Sequence, residues 1–162
     1  MDTHDFIARF GAVYEHSPWV AEHVAPIVAN FDDRECIANL MADCVDNADN
    51  ERQLALIRAH PDLAGRAQVA GELTADSTAE QVSAGLDQCS QEEYEQFQSL
   101  NDAYKDKFDF PFVMAVRDSD RAQILQAFSA RLQNAYDVEF ETALTEIHKI
   151  ARLRIEALEN DT

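Results

Sequence analysis

The chain has 162 residues, of which 31 are Asp or Glu and 13 are Lys or Arg, so its formal net charge is −18. An electrostatic field of this sign repels nucleic acid and anionic membranes, and we expect neither as a partner. No apolar run approaches the roughly 20 residues of a membrane span, and the first residues lack a secretory signal pattern. We therefore expect a single domain over residues 1–162, located in the cytoplasm.

Few turn-forming residues are present, with 4 Gly and 4 Pro in the whole chain. A β-sandwich or barrel needs a turn about every 8–12 residues, so this composition favours helices. We predict an all-α bundle of about eight helices without a sheet. Cys36, Cys44 and Cys89 are odd in number and have no C-x-x-C spacing, which favours reduced thiols over disulfides or a zinc site.

Four helices are predicted in the first 60 residues from capping residues and the 3.6-residue period of apolar positions. The caps and breaks place them from Thr3 to Gly11, from Ser17 towards Asn30, from Asp32 to about Asn47, and from Asn50 to His60-Pro61. The last of these ends there because a proline ring excludes the preceding residue from the α region.

The second half begins with a weak pattern over residues 64–76, which indicates a loop. Two capping boxes follow, each a Ser with Glu three residues later, and they predict helices to about Leu86 and Lys107. An apolar, proline-containing stretch over residues 108–116 has no helical period and predicts an extended buried segment. The first capping box is Ser77 with Glu80, and the second is Ser90 with Glu93. Of the two remaining helices, one is capped by Ser119 and the last extends from about Asp137 to Leu158.

His60 is the first candidate for chemistry. At the C-terminus of a helix, it would meet the negative end of the helix dipole, which favours the protonated imidazole. Such a histidine is suited to proton transfer near neutral pH, although a histidine in this position also serves simply as a cap.

Arg154 is the second candidate. In the last helix, an apolar stripe about 60° wide has Arg154 within it or at its edge, while Arg152 points to the other side. A buried arginine must be paired or must bind an anion, so both a structural ion pair and a carboxylate or phosphate clamp remain open. The stripe consists of Phe140, Leu144, Ile147, Ala151 and Leu158.

Glu80 and Gln81 supply a carboxylate and an amide, but each has a simpler interpretation. Glu80 either completes the capping box with Ser77 or faces a ligand, and Gln81 is a solvated helix residue by default. A metal site is not expected, because the histidines form no H-x-x-x-H pair, and no G-x-S-x-G motif indicates a serine nucleophile.

Several motifs together resemble those of 2-oxo-4-hydroxy-4-carboxy-5-ureidoimidazoline (OHCU) decarboxylases. Each is weak alone, but they occur in the order found in the family and extend from about residue 10 to residue 158. The motifs are Glu15–Val20, Ile57–Gly65, Ser77–Gln81, Gly85–Asp87, Phe97–Tyr104, Lys107–Val113 and Glu146–Arg154.

The resemblance implies an all-α enzyme that needs no cofactor, forms a homodimer, and acts on a small ureidoimidazoline. OHCU would lose CO2 to give (S)-allantoin, the last step from urate to allantoin. By position, the resemblance makes His60 and Glu80 catalytic and gives no residue a metal-binding role. The residues that it assigns to substrate binding are Pro61, Ser77, Glu80, Gln81, Phe112, Val113, Met114 and Arg154.

Two other functions remain open. The chain could be a catalytically silent helical binding module, in which the conspicuous residues are caps and core. It could also be a metal-dependent hydrolase of ureides, in which case metal would co-purify with the protein.

Overall fold

A computed structural model describes residues 2–28, 33–65 and 73–159. Within these ranges, eight α-helices and one 3-10 helix form the regular structure, with no strand, which confirms the predicted all-α class. No helix among them is long and apolar enough to cross a membrane. The elements are α1 (Thr3–Phe10), α2 (Trp19–Val28), α3 (Arg34–Asp46), α4 (Asn50–Arg58), α5 (Ala75–Ser83), the 3-10 helix (Leu86–Gln88), α6 (Gln91–Phe108), α7 (Arg121–Arg131) and α8 (Tyr136–Glu159).

The chain divides into two compact units, residues 1–59 with 147–162, and residues 60–146. The first unit holds α1 to α4 and the C-terminal part of α8. Apolar side chains from each of these helices are buried, among them Phe10, Val24, Met41, Leu56 and Ile155.

Aspartates cap three helices of the first unit. The carboxylates of Asp2, Asp33 and Asp49 accept backbone N–H groups in the first turns of α1, α3 and α4. Thr3, predicted as a cap, is instead the first residue of α1, and the predicted start of α4 at Asn50 is confirmed. Of the predicted boundaries on α2 and α3, Asn30 and Asp32 lie outside the described residues.

Two predicted caps in the second unit are wrong. Thr74 caps α5, and its hydroxyl accepts the Ser77 N–H at 3.2 Å, so Ser77 lies inside the helix. Asp120 rather than Ser119 caps α7, because the Asp120 carboxylate accepts the Gln123 N–H at 2.8 Å. In both cases a neighbouring residue with a suitable side-chain oxygen takes the role. The box of Ser90 with Glu93 is confirmed at the start of α6.

The segment at residues 110–116 is irregular and mostly buried, as predicted, whereas Phe108 is the last residue of α6. The part of the predicted loop at residues 66–72 lies outside the described residues. Aromatic rings surround the 110–116 segment: Phe112 stacks on Phe128 with ring centroids 3.9 Å apart, and Tyr104 makes edge contacts with both. The missing helical period of this stretch thus reflects packing against a cluster of rings.

Glu139 is fully buried and lies at the centre of a polar network beneath these rings. Its carboxylate accepts hydrogen bonds from Tyr104 at 2.6 Å, Arg131 at 2.9 Å and Asn134 at 2.9 Å. Burial and the bond to Glu139 raise the pKa of Tyr104 above its usual range, so its hydroxyl stays protonated and donates. Three donors compensate a carboxylate that would otherwise be too costly to bury.

Replacing Tyr104 by Phe should lower the free energy of unfolding by about 1–3 kcal/mol, because Glu139 loses a donor in a buried site. Urea denaturation followed by circular dichroism measures this change. Tyr136→Phe is the matched control, since Tyr136 is 50% exposed, and it should change stability by less than about 0.5 kcal/mol. Equal effects of the two substitutions would contradict a special role for the Tyr104 hydroxyl.

Candidate active site

The unit formed by residues 60–146 carries most of the predicted site residues, and Arg154 belongs to the other unit. His60 is only 8% exposed and directly follows the end of α4, where Ala59 is the C-cap. The prediction that the helix stops before Pro61 is therefore confirmed. From Pro61 to Gly65 the described backbone has no helix, so side chains elsewhere must satisfy its polar groups.

Gln81 meets this requirement for two of the loop residues. Its side-chain oxygen accepts the Ala64 N–H at 3.0 Å, and its amide group donates to the Asp62 carbonyl at 3.1 Å. Gln81 is 2% exposed, so the default expectation of a solvated helix residue is wrong. These bonds connect α5, the helix that also carries Ser77 and Glu80, directly to the loop that follows His60.

Ser77 and Glu80 differ in their surroundings. Ser77 is 4% exposed and lies in the first turn of α5, where its N–H donates to Thr74. Glu80 is half-buried and directly precedes Gln81. Because Thr74 opens the helix, Glu80 is not the third helical residue and has no place in a capping box. Of the two interpretations of Glu80, the capping box is thus wrong.

The segment at residues 112–114 is held by Arg131. The Arg131 guanidinium donates to the Val113 carbonyl at 2.6 Å and lies 4.4 Å from the centroid of the Phe112 ring. Phe112 and Val113 are buried and Met114 is half-buried. The backbone here is fixed by hydrogen bonding and by a cation–π contact rather than by regular structure.

Arg154 forms the buried ion pair that the sequence left open. Its guanidinium donates to Glu15 at 2.8 Å and to the Val13 carbonyl at 3.3 Å, with Glu15 2% and Arg154 8% exposed. Arg152 is exposed and donates to Asn39, which confirms that it points away. Glu15 was not among the predicted site residues. It lies 139 positions from Arg154 and opens the first of the family-like motifs.

Three further side chains, on α6, contact the loop after His60 and were not predicted as site residues. Gln98, Asn101 and Lys105 bind Ala64, Leu63 and Asp62, respectively. For Gln98 and Asn101 the available signal was the motif at residues 97–104, in which they lie three positions apart; Lys105 directly follows that motif.

The surface groove and the cysteines do not involve the predicted site residues. A surface groove of about 340 Å³ in the first unit is lined by residues such as Trp19, His23 and Arg52, and includes none of the predicted site residues. Within the described ranges, no group of three or more His, Cys, Asp or Glu is arranged to hold a metal ion. The three cysteines are half-buried free thiols, as predicted.

Comparison with known proteins gives consistent matches. The sequence model of the OHCU decarboxylase family matches residues 1–156. A 2-oxo-4-hydroxy-4-carboxy-5-ureidoimidazoline decarboxylase of Haloferax volcanii is 45% identical over 155 residues, covering 96% of this chain and 89% of the relative. The uric acid degradation bifunctional protein PucL of Bacillus subtilis is 40% identical, covering 96% of this chain and 30% of that protein.

Among solved structures, the fold is similar to that of an (S)-allantoin synthase. The TM-score is 0.78 at 30% sequence identity, and the match covers 98% of this chain. It covers 51% of the other chain, so the present chain spans about half the length of that protein.

Proposed function

Because this chain belongs to the OHCU decarboxylase family, we propose that it converts OHCU into (S)-allantoin and CO2 in urate degradation. The family match over residues 1–156 is the observation that carries the proposal. The hydrogen bonds of Gln81 add support, since they link the helix of Glu80 to the loop of His60.

The reaction makes limited demands on the protein. When the bond between the ring carbon and the carboxylate breaks, the electron pair passes into the adjoining C=N bond of the ring, so no cofactor is required as an electron sink. The ring nitrogen takes up one proton. The ureido-bearing carbon then takes up another on one face while the hydroxyl loses its proton, so that the hydroxyl-bearing carbon becomes a carbonyl. The protein must orient the carboxylate, stabilise negative charge on the ring and direct the proton.

We assign proton transfer to His60 and binding of the substrate carboxylate to Arg154. A guanidinium suits the second task because it presents N–H donors in a planar fork that matches a carboxylate. The pairing of Arg154 with Glu15 would hold that fork in one orientation. Pro61 would pack against the substrate ring.

Glu80, Gln81 and Ser77 would orient the ring and the ureido group. The Gln81 amide has two N–H groups and gives one to the Asp62 carbonyl, so the same side chain is chemically able to hold the loop and to donate to substrate. The N–H groups of Phe112, Val113 and Met114 would stabilise the developing negative charge. Arg131 supports this role by fixing the Val113 peptide.

The proposal includes a small-molecule ureidoimidazoline as substrate, no nucleic-acid or membrane partner, a homodimeric state and a cytoplasmic location. The charge of −18 supports the exclusion of polyanionic partners.

The activity itself is tested with OHCU generated freshly from urate. The protein should accelerate the loss of OHCU above the spontaneous rate, and the allantoin formed should be optically active, as measured by circular dichroism. A spontaneous rate with racemic product would contradict the proposal and favour a binding module. Activity that is lost on chelation and restored by a divalent metal would favour the hydrolase.

His60→Ala should lower kcat by about 100-fold or more while the protein remains folded, because general acid–base catalysis typically contributes 10²–10⁴-fold. The matched control is His23→Ala, which removes an exposed histidine of α2 and should leave kcat within about twofold of wild type. Near-wild-type turnover of the His60 variant would remove His60 from the mechanism.

Arg154→Lys tests whether Arg154 binds the substrate in addition to forming its ion pair with Glu15. The substitution keeps the charge but loses the planar fork, so KM for OHCU should rise about 10-fold or more. Arg152→Lys, on the exposed side of the same helix, is the control and should leave KM unchanged. A lower melting temperature with unchanged KM would reduce Arg154 to a structural ion pair.

A further inference from the structure

One face of α6 lies along the loop that follows His60. Gln98 donates to the Ala64 carbonyl at 2.7 Å, Asn101 donates to the Leu63 carbonyl at 3.0 Å, and the Lys105 ammonium is 2.7 Å from the Asp62 carboxylate. These three positions are three and four residues apart, so they share a face of the helix. Three consecutive loop residues are therefore matched, in reverse order, by three positions of one helix.

Gln81 holds the same loop from a different helix, α5. Gln81 accepts a hydrogen bond from the Ala64 N–H, and Gln98 donates one to the Ala64 carbonyl. Both backbone polar groups of Ala64 are therefore bound by glutamine side chains. With Asn101 and Gln81 also bound to the Leu63 and Asp62 carbonyls, three amide side chains supply four hydrogen bonds. We call Gln81, Gln98 and Asn101 the amide clamp.

The held backbone is strained. Ala64 has φ of 50°, in the left-handed region that an alanine rarely adopts because of its Cβ. Such a conformation persists only where the surroundings impose it. Ala64 is 1% exposed, and the amide clamp binds both its N–H and its carbonyl in this conformation.

The hydrogen bond of Asn101 is not explained by stability alone. It is 2% exposed, and within the described part of the chain its side-chain oxygen accepts no hydrogen bond. A buried unsatisfied acceptor costs about as much as a neutral hydrogen bond contributes, so the bond to Leu63 brings little net stability. What it does determine is where the Leu63 carbonyl lies, three residues after His60.

We propose that Gln98 and Asn101 are positioning residues for His60. They act through the backbone of residues 62–64, and with Gln81 they fix the loop in the conformation from which the imidazole reaches the substrate. This inference rests on the proposed function for its effect on rate, but the effect on the loop is independent of it. A side chain held in place before substrate binds lowers the cost of reaching the reactive geometry.

The test replaces Gln98, which is half-buried and so threatens folding less than a core position. Gln98→Ala should lower kcat about 10-fold or more, with KM within about threefold and a melting temperature close to that of wild type. Gln96→Ala is the matched control, since Gln96 is an exposed glutamine two positions earlier on α6. It should leave all three quantities unchanged.

Two charged substitutions at the same position separate hydrogen bonding from shape. Gln98→Glu keeps the shape but places an acceptor against the Ala64 carbonyl, and it should be as impaired as Gln98→Ala. Gln98→Lys keeps a donor with sufficient reach and should recover part of the lost kcat. Wild-type kcat in Gln98→Ala, or a milder effect of Glu than of Lys, would overturn the proposal.

Hydrogen–deuterium exchange of peptides covering residues 60–65 gives a readout that needs no activity. Exchange there should be faster in Gln98→Ala, and in Asn101→Ala as a second variant, and unchanged in Gln96→Ala. If wild type itself is inactive on OHCU, the proposed function fails while this measurement still decides the role of the clamp. Unchanged exchange in Gln98→Ala and Asn101→Ala, or a loss of kcat equal to the loss of folded protein, would overturn the proposal that these residues position His60.

Discussion

A single buried carboxylate determines how the second unit is built. Glu139 is fully buried on α8 and accepts from Tyr104 of α6 and Arg131 of α7, so one charge joins three helices. Burial of this charge is tolerable only because donors surround it. Arg131 then reaches the Val113 carbonyl, which extends the constraint from helices into a segment with no regular structure. Loss of the carboxylate would therefore disturb both the aromatic cluster and the backbone at residues 112–114.

The same physical problem recurs at residues 62–64, where an irregular backbone needs hydrogen-bond partners away from water. There the solution is neutral: amide groups supply both donors and an acceptor. Amide groups carry no net charge, whereas Arg131 and Glu139 near Val113 are two charged groups. The amide clamp thus fixes the loop beside His60 without adding a carboxylate near the imidazole. The chain already carries 31 acidic residues.

Periodicity and proline chemistry were sufficient to predict the helical class, the end of α4 before Pro61 and the extended segment near Phe112. Caps were less predictable, because a local pattern does not decide between adjacent oxygens: Thr74 replaced Ser77, and Asp120 replaced Ser119. Contacts between distant residues could not be derived at all. Nothing in the local sequence around Arg154 indicates Glu15, and nothing around His60 indicates Gln98, since these pairings depend on how helices pack.

The pairing of Arg154 with Glu15 changes how an acidic protein could hold an anion. An isolated buried guanidinium would be too costly in the absence of ligand, whereas a paired one is stable in its place. Glu15 offsets that cost but also cancels the charge, so attraction of a substrate carboxylate cannot rely on net positive charge. If Arg154 binds the substrate carboxylate as proposed, it would do so through directed N–H groups, of which a guanidinium has five in a fixed plane. Geometry rather than charge would then distinguish Arg154 from a lysine, and a substrate carboxylate would have to arrive in the plane of that fork.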